Sequence, residues 1–153
     1  MRQLFLDSAR EGDSDLYDQN DVHTVRTDDY AVHRFLMAND MNAKQAYSQL
    51  REAYRWRREF PVHRDFSHCG VEVFRCGAIA ELERIVEEII VTTFEKLDQL
   101  AGDKGFTVVM DVSGAGLSNV DMRAVKFMIK VMRQYYPESL RCVLVVNLPM
   151  LLG

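Results

Sequence analysis

Cysteine is scarce in this chain of 153 residues. Cys69, Cys76 and Cys142 are an odd number without paired spacing. No disulfide framework is implied, and a reducing, cytoplasmic compartment fits. Long apolar runs are missing as well, and none approaches the ~20 residues needed to cross a bilayer. At the N-terminus Arg2, Asp7, Arg10 and Glu11 interrupt the chain before the apolar core of a signal peptide could form. There is no excess of positive charge. The net charge of -4 argues against a nucleic-acid surface, and the basic residues are scattered.

Catalytic signatures are equally sparse. Asp111, Ser113, Gly114 and Gly116 after an apolar run resemble a nucleotide-binding turn, but GAGLSN lacks the third glycine of the dinucleotide fingerprint. No GK[ST] phosphate loop, HExxH helix, Ser–His–Asp order or paired-carboxylate arrangement emerges. His63, His68 and Cys69 match no standard zinc spacing and lack a fourth ligand, so no metal site is expected. No cofactor is implied, and the chain is not expected to be an enzyme. What remains is ordinary globular material, 48% hydrophobic and 27% charged, enough for one domain with a sizeable core.

The most informative stretch is 106–152. Thr107 to Val112 is a short apolar run rich in β-branched residues, the pattern of a strand buried on both faces. Ser118 stands three residues before Asp121, a capping box with a shorter acid, and should open a helix. Val125, Met128, Ile129, Met132 and Tyr136 form its apolar stripe, and Pro137 closes it. Cys142 to Val146 reads as a second buried strand. Strand, helix and strand in so few residues make a βαβ crossover with parallel strands.

Upstream, 1–26 reads as a partly ordered arm, because Glu11 to Asn20 is rich in Asp, Gly, Ser and Asn. Thr27 with Asp28 and Asp29 should cap a short helix ending near Asn39. Asn42 with Gln45 should cap the next, whose stripe is Ala46, Leu50, Ala53, Tyr54 and Phe60, with Pro61 as its stop. Trp56 reads as a core anchor. Arg51, Arg55, Arg57 and Arg58 form a local basic patch that could meet phosphate, though a solvated helix face is the simpler reading. Residues 62–76 read as a connection. Ala78 to Leu100 reads as a long helix whose broad apolar face belongs to the core. The fold class expected is α/β: an N-terminal helical lobe (27–61) followed by a partial βαβ parallel-sheet core (62–153).

Two separated blocks carry a family resemblance. MDVSGAGLSNVD, YYPESL and VVNLPMLL resemble the core of the CRAL-TRIO lipid-binding domains. HRFLMANDMNAKQAYSQLREAYRWRREF resembles the helical segment that precedes the lipid-binding lobe in that family. YDQNDVHTVRTDDYAVHRFL with GLSNVDM is most similar to the motile-sperm-domain-containing branch.

The resemblance implies non-catalytic binding or exchange of a phospholipid or other hydrophobic ligand. It also implies a cytoplasmic location with peripheral contact at the endoplasmic reticulum membrane. The alternative it carries is a protein-interaction or membrane-tethering module. Glu138, in YYPES, aligns with the acidic position that helps hold an inositol headgroup. The family's basic headgroup residues fall at Asn39 and Asp40 here, and Asp40 would repel a phosphate, which counts against phosphoinositide specificity. Asp111, Gly114, Gly116 and Asn119 match the family signature and read as fixing the strand-to-helix turn. A hydrophobic ligand would press against Val109, Phe127, Ile129 and Val145, which are also core positions by pattern. The family's strand pair before the long helix has no counterpart here, and its domain continues past the NLP motif. The chain is therefore expected to be an internally shortened, C-terminally truncated form with an impaired lipid container.

Overall fold

Residues 1–26, expected as the partly ordered arm, are mostly helical. In the structure, a computed structural model describing residues 1–11, 14–60, 62, 79–113 and 121–147, helix α1 spans Arg2–Glu11 and α2 spans Gln19–Thr27. Phe5 on α1 is fully buried, with its ring 4.8 Å from Tyr17 and 5.5 Å from Tyr54. The polar residues between the helices do turn and cap chemistry. Asp18 is the N-cap of α2, its carboxylate accepting from the Asn20 backbone N–H at 2.8 Å. A composition suited to disorder is equally suited to caps, and the apolar residues on either side decide between them.

Thr27 ends α2 rather than capping the following helix. Helix α3 (Tyr30–Met37) starts after Asp28, whose carboxylate accepts from the Tyr30 N–H at 2.9 Å. Asp40 and Met41, both at positive φ, reverse the chain into α4 (Ala43–Glu59). Asn42 caps α4 as expected, accepting from the Lys44 and Gln45 N–H groups at 3.2 Å. Ala46, Leu50, Ala53 and Tyr54 are its buried stripe, and the helix stops at Glu59 ahead of Pro61.

Helix α5 (Ile79–Ala101) leads through a 3-10 turn into β1 (Phe106–Asp111), α6 (Met122–Gln134) and β2 (Leu140–Val146). The two strands pair in parallel, with Val108 opposite Val143, so the expected βαβ unit is present in a helix-rich α/β fold. Gly105 enters β1 at φ +64°, where a Cβ would lie 2.7 Å from the Ser139 carbonyl oxygen, so only glycine fits this approach. The α6 cap is Asp121, accepting from the Arg123 and Ala124 N–H groups at 2.9 and 3.3 Å. Ser118, Gly114, Gly116 and Asn119 lie outside the described residues, as do most of 62–78 and the His63, His68, Cys69 cluster.

One expectation about burial fails, and another holds only in part. The core lies between α1–α4 on one side and α5, the end of α6 and the turn at 135–139 on the other. It therefore sits at the helical junction, and the strands lie to its side. Only Phe106, Val108 and Leu140 of the sheet residues are half-buried; the rest of both strands is exposed, so neither is buried on both faces. On α5, Phe94 is buried and Ile90 and Leu97 pack against the core as expected, but Glu88, Val91, Thr92 and Glu95 are buried beside them and Leu100 is 86% exposed. Of the polar groups turned inward, Glu88 pairs with Arg84, the Thr92 hydroxyl donates to the Glu88 carbonyl oxygen, and Glu95 meets a largely buried arginine of α4.

Candidate functional site

That arginine is Arg57, expected in a solvated basic patch but buried at the junction of α2, α4 and α5. Its guanidinium donates to both Asp21 carboxylate oxygens at 2.9 and 3.0 Å and to both Glu95 oxygens at 2.6 and 2.8 Å. The Tyr136 hydroxyl donates to Glu95 at 2.7 Å, and Gln99 Nε2 does so at 2.9 Å. Burial by itself would push the Glu95 carboxyl up, but the Arg57 hydrogen bonds and charge outweigh it and hold the carboxyl below the usual range. Burial would lower Arg57; its Glu95 partner instead holds it above its ordinary value. The Tyr136 phenol is pushed well up, chiefly by burial.

A second arginine repeats the arrangement one layer away. Arg34 on α3 donates to the Pro137 carbonyl oxygen and to Asp98 of α5, both at 2.9 Å, and Ser139 is hydrogen-bonded to both Arg34 and Asp98. Trp56 stacks on Tyr135 with ring centroids 4.0 Å apart, the core anchor the sequence suggested. A small cavity of about 260 Å³ lies beside the two networks. With every charged group in them paired, these residues clamp the N-terminal helices to the 135–139 turn. No metal-holding cluster occurs among the described residues.

On the other side of that turn an open groove of about 940 Å³ runs between α4 and α6. Gln49 bridges its floor, donating to the Arg133 and Gln134 carbonyl oxygens at 3.0 and 3.1 Å. Asn39 donates to Gln49 at 2.6 Å, so its side chain braces α3 against α4. The groove brings together two of the sequence-derived site residues, Glu138 and Ile129. Glu138 sits at φ +63°, its carboxylate 3.7 Å from Arg141, and its carbonyl accepts from Tyr30. Ile129 was expected on the α6 core stripe but is 51% exposed. At 100° per residue it falls on the edge of the stripe formed by Val125, Met128 and Met132.

The other three site residues lie elsewhere. Phe127 packs against the core at Phe60, with ring centroids 6.2 Å apart. Val109 and Val145 are on opposite faces of the sheet. Val109 pairs with Leu144, so alternation puts Thr107, Val109, Cys142, Leu144 and Val146 on one face and Val108, Met110, Val143 and Val145 on the other. Phe106 and Val108 are half-buried, and Phe106 stacks 6.1 Å from Phe94, so α5 covers part of the second face. Met110, Val143 and Val145 on the second face are exposed, and the first face is exposed as well, most of all at Val109 (64%). At the carboxyl end of this face Asp111 accepts from Asn147 Nδ2 and the Ser113 N–H, both at 2.9 Å. Those bonds hold its carboxyl below the usual range and tie the ends of β1 and β2 together.

A parallel strand pair, a crossover helix and an exposed apolar sheet face, preceded by a helical lobe, define an α/β module. The family model described as the CRAL/TRIO domain matches residues 65–152, more than half of the chain, and the protein belongs to that family. Domains of this family are generally non-catalytic modules for binding and transferring lipids. No solved structure matches the chain.

Proposed function

We propose that this protein binds and exchanges a hydrophobic lipid ligand in the cytoplasm, and that the ligand lies against the sheet face of Val109, Leu144 and Val146. The observation that carries this reading is the exposure of those three side chains in a chain of this family. A soluble domain does not ordinarily leave a contiguous apolar sheet face in water without a use for it. Each methylene removed from water there contributes about 0.8 kcal/mol at full burial. A chain pressed on one open face is only partly desolvated, so retention is weak and release fast. Weak retention favours exchange over storage. Glu138 is held by Arg141 and Asp40 is acidic, which supports an apolar ligand without phosphoinositide specificity.

A specific observation favours a second reading as a tether or protein-interaction module of the motile-sperm-domain-containing kind. Among the described residues β1 and β2 each keep one unpaired edge, to which an extended partner segment could add a strand. The two readings separate under native mass spectrometry of the protein purified from cells. Lipid-mass adducts that mild organic extraction removes are expected for the first. An empty chain that retains a protein partner would overturn it.

A further inference from the structure

Helix α6 contains no acidic residue. Met122–Gln134 carries Arg123, Lys126, Lys130 and Arg133 on a molecule whose net charge is -4. Laid out at 100° per residue, Met122, Arg123, Lys126, Ile129, Lys130 and Arg133 share an arc of about 120°. All six are exposed, whereas Val131 and Met132 on the far side are buried. Arg123 is paired with Glu83 of α5. Among the described residues Lys126, Lys130 and Arg133 make no ion pair, although Glu52 and Glu138 line the neighbouring groove. Glu52 accepts from Gln134, and Glu138 faces Arg141.

We infer that this arc of α6 is the face by which the protein docks on an anionic lipid bilayer. The inference rests on the lipid-module reading and names where that module meets its donor or acceptor surface. Two features select the occupant. The unpaired cations are attracted to anionic headgroups, while the acidic remainder of the molecule is repelled, so approach is oriented. Met122 and Ile129, 55% and 51% exposed, lie among the cations. Apolar side chains interleaved with lysine and arginine on one helix face are suited to the headgroup and acyl boundary. A nucleic-acid strand would satisfy the cations but leave the methionine and isoleucine in water.

The test is the partition of the full chain onto vesicles of phosphatidylcholine alone and of phosphatidylcholine with about one-third phosphatidylserine. Three cations near the surface predict about 100-fold stronger partition onto the anionic vesicles, at roughly fivefold per charge, fading as salt rises. Lys126→Glu, Lys130→Glu and Arg133→Glu combined should abolish that preference. Met122→Ser with Ile129→Ser should weaken binding to the anionic vesicles without changing its salt slope. Equal partition onto both vesicles, salt-independent binding of the unaltered protein, or tighter binding to a single-stranded oligonucleotide would each overturn the inference. The unaltered protein supplies those three readings even if a variant does not fold. Lipid adducts measured on the same preparations keep the two ideas apart. Anionic preference by an empty chain sustains the docking face while removing the cargo, and cargo without anionic preference removes the docking face alone.

Discussion

At the scale of the residue, the fold turns on Arg57. A guanidinium shared between Asp21 and Glu95 joins three helices that are far apart in sequence. Removing one partner of such a buried set leaves charge uncompensated, so Glu95→Gln should cost about 3 kcal/mol in urea denaturation. Because the folded-state Glu95 carboxyl lies below its ordinary value, its contribution is complete above the unfolded-state value of about 4.3. It is lost as pH falls through the depressed folded value. The variant should therefore show a flatter decline of stability below about pH 4.3 than the native protein. An unchanged acid slope would remove Glu95 from the account. Gly105 carries a second residue-level prediction. Its φ of +64° with ψ of 179° belongs to glycine, and Gly105→Ala should cost about 3 kcal/mol. A thermal melt checks it, and a neutral result would show that the Ser139 approach relaxes freely.

At the scale of the element, the caps decide where helices begin. Asp121 satisfies two backbone donors of α6, and Asp121→Ala should lower stability by about 1 kcal/mol, read from the urea midpoint with an unchanged slope. The sequence made most of these elements legible. The apolar period marked α4, α5 and α6, the β-branched runs marked both strands, and Asn42 and Pro61 marked two helix ends. What stayed hidden is which way the faces point. Glu88 and Glu95 sit at helical spacing with Val91 and Thr92, and nothing local says that Arg57 will meet Glu95. The apolar face of α5 was therefore assigned to the core while Leu100 stands in water. Val109 and Val145 were grouped by hydrophobicity alone; the register that separates them pairs Val109 with Leu144 and Met110 with Val145. Of the five site residues, Glu138 and Ile129 line one open groove, which no local pattern announces.

At the scale of the molecule, residues 1–27 are part of the structure that supports the sheet. Phe5, Tyr17 and Val25 are buried in the same core as Leu50, Val131 and Tyr136, and Asp21 completes the Arg57 set. Deleting 1–27 should abolish cooperative unfolding and drive the remainder to aggregate, measured by calorimetry and light scattering. A soluble fragment with an unchanged transition would show that the arm is dispensable. The sheet itself is different. Its exposed apolar face contributes little to this core, which leaves it free for a ligand.

The most direct measurement is lipid occupancy of two aspartate variants on opposite sheet faces, followed by native mass spectrometry. Val109→Asp puts a charge on the open face and should lower occupancy by about tenfold or more. Val143→Asp puts the same charge on the opposite sheet face, at a side chain that is also exposed, and should leave occupancy near that of the native protein. Equal occupancy in the Val109→Asp variant and the native protein would contradict the placement of the ligand on the sheet.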